Sequence, residues 1–265
     1  MKRTFFLFLT FTYHIAGFSQ IDVPPETLSN KQQIKKFLDA AMVYPKEDLA
    51  KRIDGKVKLS FTIDEEGYPV DVEIISGQTA GLNDEAVRLA SRILWKPALK
   101  NGKAVKTVQT FTIDFNCSHY YRVVKERGYG EIEFYDIPFD KNKNIYNFAD
   151  LDETPKPIIK KRFINLGHYI QEMLQYPESA FRAGIQGTVK LKFVIENDGI
   201  VSNIRVDKSV GGGCDNEAIR ILQSIQWKPG IKNQLAIRSH ASMDVTFQIS
   251  SNKIQGIPNR QSTGL

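Results

Sequence analysis

Two stretches of this chain alternate polar and apolar residues, from Lys56 to Ile63 and, with Val194 as the one exception, from Lys190 to Ile195, which is the period of a strand with one buried face. Asp64-Glu65-Glu66-Gly67 and Glu196-Asn197-Asp198-Gly199 follow, each supplying the carboxylates and the glycine of a hairpin turn. Val70, Val72 and Ile74 mark the returning strand in the first case, Ile204 and Val206 in the second. Loops over Gly77 to Gly81 and Gly211 to Gly213 then lead to Asn83 and Asp215, both good N-cap residues. Beyond them Ala86, Leu89, Ala90 and Ile93 recur at helical spacing, as do Ala218, Ile221, Leu222 and Ile225, so each helix has one apolar stripe to lay on a sheet. Trp95-Lys96-Pro97 and Trp227-Lys228-Pro229 read as helix stops whose tryptophans cap the core. Turns through Asn101-Gly102 and Asn233 lead to third strands over Val105 to Phe115 and Ile237 to Ile249. An amphipathic stretch precedes each unit, with Ile34, Phe37, Leu38 and Ala41 in one and Leu166, Tyr169, Ile170 and Met173 in the other.

The two units are copies. A shift of 132 residues carries Tyr44-Pro45 onto Tyr176-Pro177, Gly55 onto Gly187, Gly67 onto Gly199, Glu85-Ala86 onto Glu217-Ala218 and Lys100-Asn101 onto Lys232-Asn233, with no gap. Copies this far apart make two domains, because solenoid repeats run to roughly 20–50 residues. The expected fold class is α+β, two α-β-β-α-β modules, each a three-stranded antiparallel sheet with helices packed on it. A right-handed helical crossover between the second and third strands gives the order 2-1-3. The third strand is then an edge with a row of free backbone donors and acceptors. The organisation reads as a signal peptide over 1–19, modules over 28–117 and 158–250, a linker over 118–157 and a tail over 251–265. Pro138, Pro155 and Pro157 are too few to make the linker a polyproline spacer, and Tyr129 to Ile137 alternates in the manner of an extra strand.

At the N-terminus Lys2 and Arg3 precede an apolar run from Phe5 through Ile15, and Gly17-Phe18-Ser19 places small residues where a signal peptidase reads, so cleavage after Ser19 is expected. An uncleaved membrane anchor is the competing reading, against which the run is shorter than the ~20 apolar residues a spanning helix needs. The formal charge of +6 includes Lys2 and Arg3, and the rest forms no basic stripe of the kind nucleic acid demands. Lys35-Lys36 and Lys160-Lys161-Arg162 read as solvated helix faces. Cys117 and Cys214 sit at non-equivalent positions of the two copies; one bridge and two free buried thiols are both open readings, and neither cysteine belongs to a metal-ligand pattern. The acidic turns are too short for a calcium loop, Gly211-Gly212-Gly213 lacks the Lys-Ser/Thr pair of a phosphate loop, and His14, His119, His168 and His240 have no counterparts between copies. Neither a catalytic constellation nor a cofactor is therefore expected.

The order Tyr-Pro, Gly-x-Val-x-Leu-x-Phe-x-Ile, acidic turn with glycine, Glu-Ala helix, Trp-Lys-Pro and final strand resembles the C-terminal domain of the TonB energy transducer, over about two thirds of the mature chain. In that family the domain takes a short peptide of outer-membrane receptors by strand addition, near a Gln-Tyr-Pro stretch. The resemblance implies a partner-binding set of Gln175, Tyr176 and Pro177 with Met243, Val245, Phe247 and Ile249 in the second module, and of Tyr44 and Pro45 with Phe111, Ile113 and Phe115 in the first. Gln175-Tyr176-Pro177 matches the stretch fully and Val43-Tyr44-Pro45 only in part, which favours module two. The family's transducers carry an uncleaved anchor and a long Pro-rich linker, and the chain departs from both. The expected function is a periplasmic binder of outer-membrane receptor or other envelope peptide segments. An anchored transducer coupling the proton gradient to transport is one alternative, and a structural protein that dimerises through its edge strands is another.

Overall fold

Two hydrophobic cores organise the chain, each assembled on a central strand that buries one face and wets the other. The computed structural model describes residues 21–127, 138, 140 and 143–249. The expected signal peptide, the strand over Tyr129 to Ile137 and the tail lie outside the described residues. Module one runs β1 (Glu26–Thr27), α1 (Lys31–Ala41), α2 (Lys46–Ala50), β2 (Gly55–Ile63), β3 (Pro69–Ser76), α3 (Ala80–Ala90), β4 (Trp95–Lys96), β5 (Ala98–Lys100), β6 (Lys103–Val105), β7 (Thr107–Phe115) and α4 (Cys117–Arg127). After it come β8 (Ile145–Tyr146) and a 3-10 turn at Phe148–Asp150. Module two continues with β9 (Lys156–Ile158), α5 (Leu166–Met173), α6 (Glu178–Arg182), β10 (Gly187–Ile195), β11 (Val201–Lys208), α7 (Cys214–Gln223), β12 (Gln226–Lys228), β13 (Gly230–Lys232) and β14 (Leu235–Phe247).

The sheets have the orders β3-β2-β7 and β11-β10-β14-β13, with β8 also on β14: the 2-1-3 arrangement expected from the crossover is present in both, but the sheet of module two has five strands rather than the expected three, because β14 extends past β10 to pair with β13 and β8. Val57, Leu59, Phe61 and Ile63 on β2 are buried with Leu82, Ala86 and Leu89 of α3. Val189, Leu191, Phe193 and Ile195 on β10 are buried with Ala218, Ile221 and Leu222 of α7. Each of the Val, Leu, Ile and Phe side chains among them contributes ~1.5–3 kcal/mol on burial. Lys56, Lys58, Lys190 and Lys192 on the opposite face stay in water. Helix α1 starts in a capping box, where Asn30 Oδ1 accepts the Gln33 N–H at 2.9 Å and Gln33 Oε1 accepts the Asn30 N–H at 3.0 Å.

Several expected details are corrected. Helix α3 begins before Asn83, because Thr79 caps it: Thr79 Oγ1 accepts the Leu82 N–H at 3.1 Å and donates to Asp48 at 2.9 Å. Helix α7 begins after Gly213, and Asp215 in its first turn accepts the Val210 N–H at 3.1 Å, tying the preceding loop down. Proline ends neither helix. They stop at Ala90 and Gln223, and the tryptophans lie in short strands packed on Phe61 and Phe193, with ring centroids 5.7 and 5.9 Å apart. Pro45 and Pro177 open the extra helices α2 and α6, which the helical pattern does not reveal. The stretch expected as linker carries α4, β8, the 3-10 turn and most of β9.

A strap repeats upstream of each module. β1 pairs with β4 and β9 with β12, while the Asp22 and Asp152 carboxylates accept the N–H groups of Asn101 and Asn233. The turn glycine of the first hairpin packs beneath this region. A side chain on Gly67, whose φ is +89°, would place Cβ 2.0 Å from the Trp95 carbonyl oxygen. The turns after β5 and β13 need left-handed residues at both central positions. Module one uses Asn101 and Gly102 there, at φ 51° and 71°, whereas module two uses Asn233 and Gln234, at 50° and 64°.

The modules meet through a buried polar lock. Arg92, just past α3, donates to Asp198 at 2.5 Å and Asn197 at 2.8 Å in the β10–β11 turn, and lies 3.5 Å from Glu196. Burial opposes its charge, but Asp198 and Glu196 outweigh that and raise its pKa. Arg238 clasps Glu196 at 2.8 and 3.0 Å and donates to the Arg92 carbonyl at 3.2 Å. The Asn203 amide accepts the Leu94 N–H and donates to the Arg92 carbonyl, both at 2.8 Å, so it docks module one in the manner of a strand residue.

Removing one member of a buried ion network costs ~3–5 kcal/mol. Arg92→Ala is therefore expected to split a single calorimetric unfolding transition into two. Gln234→Gly is expected to stabilise module two by about 1 kcal/mol, because glycine accepts the left-handed backbone without strain; a raised thermal midpoint checks it.

Candidate functional site

The Tyr-Pro segments are held by a device that occurs in both copies. The Glu85 carboxylate accepts the Val43 N–H at 2.7 Å and both Nε and Nη2 of Arg88 at 2.7 Å, while Arg88 reaches back to the Ala41 carbonyl. Glu217 repeats this with the Gln175 N–H at 2.7 Å and with Arg220, which donates to the Met173 carbonyl at 2.7 Å. A carboxylate that receives a backbone N–H and a bidentate guanidinium is well compensated. It fixes the chain between the first helix and the tyrosine. The Tyr44 and Tyr176 hydroxyls then donate to the Ile53 and Ile185 carbonyls, both at 2.6 Å. Burial raises both phenol pKa values, with a hydrogen bond to Cys117 adding to the effect at Tyr44.

Of the residues singled out in sequence, Tyr44 is in the core and Tyr176 half-buried against Phe247 and Phe181. Gln175 is exposed, and with Tyr176, Pro177, Glu217 and Arg220 it lines a shallow cleft of about 480 Å³ that Lys36 of module one completes. Met243, Val245, Phe247, Ile113 and Phe115 point into the two cores, and Phe111 and Ile249 are half-buried.

The direction of the backbone groups on the third strands follows from two hydrogen bonds. The Ile249 N–H turns inward to Gln186 at 2.8 Å, whereas the N–H and C=O of Ala236 turn outward, to the Pro138 carbonyl and the Asp140 N–H, each at 2.9 Å. β14 keeps one uninterrupted register with β10, from Phe247 opposite Gly187 to Ser239 opposite Ile195. Odd-numbered residues of β14 therefore bond inward and even-numbered ones outward. β7 holds the equivalent register on β2, from Phe115 opposite Gly55 to Thr107 opposite Ile63, so its even-numbered residues face outward too. Among the described residues, the outward groups of Val108, Thr110, Thr112 and Asp114 and of Ser242, Asp244 and Thr246 have no backbone partner. Phe111, Ile113, Phe115, Met243, Val245, Phe247 and Ile249, singled out in sequence, sit at inward-bonding positions.

Two further features went unread in the sequence. Glu-x-x-Arg recurs at the same 132-residue shift as the rest of the repeat, and the spacing puts both side chains on one helical face. The strap recurs at a shift of 130, as Asp22 and Asp152 show, so a gapless comparison passes over it.

No group of metal-ligating side chains and no helix long and apolar enough to cross a membrane occurs among the described residues. Cys117 and Cys214 are free and buried, and burial raises both thiol pKa values.

Two small α+β modules in tandem, with the outer side of the third strand open along β7 in one and beyond His240 of β14 in the other, define the class of this protein. The chain belongs to the family of the Gram-negative bacterial TonB protein C-terminal domain, whose model matches residues 40–117 and again 172–249. It is similar to the solution structure of the Pseudomonas aeruginosa TonB C-terminal domain, at 27% identity over 28% of this chain and 76% of that one, with a TM-score of 0.25. It is also similar to that of the Helicobacter pylori domain, at 24% identity over 32% of this chain and 78% of that one, with a TM-score of 0.24. No curated protein matches the chain.

Neither thiol is expected to react with a maleimide in the folded protein, and both are expected to react once denaturant is added; mass spectrometry of the labelled chain checks this.

Proposed function

We propose that this chain is a receptor-interacting protein of the periplasm that captures an extended segment of an outer-membrane or other envelope protein as an added strand. Family membership supports the kind of partner. The mode rests on one observation, the row of outward backbone groups on β7 and β14 with no backbone partner among the described residues. Each backbone bond formed there contributes ~0.5–1.5 kcal/mol net. Thr110, Thr112, Asp114, Ser242, Asp244 and Thr246 supply those bonds. The inward Ile113, Phe115, Val245 and Phe247 keep the strand rigid, and the Tyr-Pro segment, fixed by Glu217 and Arg220, flanks the edge. The reading needs no cofactor and no reaction.

A photo-crosslinking residue at Thr110 or Asp244 of the full chain, produced in a Gram-negative host, is expected to capture extended segments of outer-membrane proteins, with Glu47 as the control position. Proline at Thr112 and Thr246 together removes outward N–H groups while leaving the β2 and β10 ladders intact. It is expected to lower the yield about tenfold or more, since ~0.5–1.5 kcal/mol is lost per bond. Yields no higher than at Glu47, or unchanged by the prolines, overturn the reading.

A further inference from the structure

Between the strap and the first helix the two copies diverge. In module one Thr27, opposite Trp95, is followed three residues later by Asn30, which caps α1; in module two Pro157, opposite Trp227, is followed eight residues later by Asn165, which caps α5. Module two thus carries five extra residues here, in a stretch that reads Ile158-Ile159-Lys160-Lys161-Arg162-Phe163-Ile164. Lys160 to Arg162 lie in a turn rather than on the helix face expected of them, and the Phe163 N–H closes that turn on the Lys160 carbonyl at 3.0 Å. The shorter connection of module one is used inside the molecule, where Ser29 donates to the Ile204 carbonyl of module two at 3.1 Å.

The added loop is anchored from below. Phe163 is buried, its ring edge-on to Tyr169 at 4.9 Å, with the Arg162 guanidinium 4.6 Å over its other contacts, and the Ile164 N–H donates to His168 Nδ1 at 3.2 Å. The anchored loop turns Ile164 outward, 85% exposed, the most exposed of the large apolar side chains among the described residues. Charge gathers around it. Lys156 and Lys228 stand directly opposite each other on β9 and β12, an arrangement of like charges that costs stability. Module one has Glu26 opposite Lys96 at the same place, 3.5 Å apart as an ion pair. Lys156, Lys160, Lys161, Arg162 and Lys228 are all exposed, and none takes part in an ion pair among the described residues. Ile158, on the same face of β9 as Lys156, is a second exposed isoleucine. Glu172, the neighbouring carboxylate, lies 4.0 Å from His168.

We propose that this strap and loop of module two rest on an anionic lipid bilayer, with Ile164 at the boundary of headgroups and acyl chains and Lys156, Lys160, Lys161 and Lys228 at the lipid phosphates. Lysines alone would suit a soluble anion or an acidic protein. An isoleucine projecting beside a cationic turn suits a surface that is charged outside and apolar just beneath. Anions brought between Lys156 and Lys228 also relieve their opposition, which the free chain carries and module one avoids. Each cation held at an anionic leaflet strengthens binding about fivefold, and an embedded isoleucine about tenfold or more. Nothing in this depends on strand addition; it gives module two a second surface with a different partner.

The full chain is sedimented with vesicles of phosphatidylcholine alone and of equimolar phosphatidylcholine and phosphatidylglycerol. Binding is expected to the anionic vesicles only, and is expected to survive added inorganic phosphate at fixed ionic strength. It is expected to fall about tenfold or more in Ile164→Ser and about twentyfold when Lys160→Gln and Lys161→Gln are combined. Lys156→Glu, which recreates opposite Lys228 the pairing of module one, is expected to weaken vesicle binding while the thermal midpoint holds or rises, so that lost binding is not lost fold. Absence of binding to the anionic vesicles, equal binding to the neutral ones, or binding unchanged by the serine or the glutamines each overturns the proposal. Displacement by inorganic phosphate would make the turn a site for a free anion, and soluble polyglutamate bound as tightly as the vesicles would make the partner an acidic chain; either result overturns it too.

Discussion

A small sheet whose second and third strands are joined through a helix has one face to bury and one outer strand with nothing beside it. Here that constraint is met twice, although in module two β13 and β8 lie beside the first residues of β14. β2 and β10 place four apolar side chains each on one face, α3 and α7 cover them, and the right-handed crossover carries β7 and β14 to the outside. The core and the available backbone are therefore produced by the same alternation. Phe115 and Phe247 are locked inward, and that order is what holds the outward N–H groups of their even-numbered neighbours in a straight row.

Around this plan the copies share what folding needs and differ in what faces a neighbour. The Glu-Arg clamp, the buried tyrosine hydroxyl and the strap occur in both, with nearly identical hydrogen-bond lengths. The residues that bear on a second body do not recur. Arg92 becomes Ser224, Asn203 corresponds to Asp71, and Arg238 to Lys106. Duplication supplied two equal scaffolds, and their surfaces have been put to different uses.

The main plan was legible in the sequence because it rests on short-range patterns: period-two alternation, helical stripes and acidic turns with glycine each act over a few residues. The strand order followed from connectivity alone. What stayed hidden depends on competition between local choices. Asn83 is a sound cap by type, but Thr79 is fixed by Asp48 from another helix and wins. Trp-Lys-Pro looks like a stop, yet tertiary packing of Trp95 on Phe61 draws the chain out of the helix several residues earlier. The inter-module lock was beyond reach, since no pattern along the chain announces that Arg92 will meet Asp198 more than a hundred residues away. The outward backbone row lies one residue to either side of the side chains that the resemblance implied for the edge.

The lock is also directional, since each module brings a different face to it. A contact between unlike faces of similar units is open-ended by geometry: whatever joins the first to the second can join the second to a third, and so build a fibre. Here the leading face of module two carries Ser224 where a guanidinium is required, and the trailing face of module one offers Asp71, which accepts hydrogen bonds but cannot donate the one that Asn203 gives to a carbonyl. Neither outer face carries the side chains that make this joint, so the two copies meet here through residues that each holds only once.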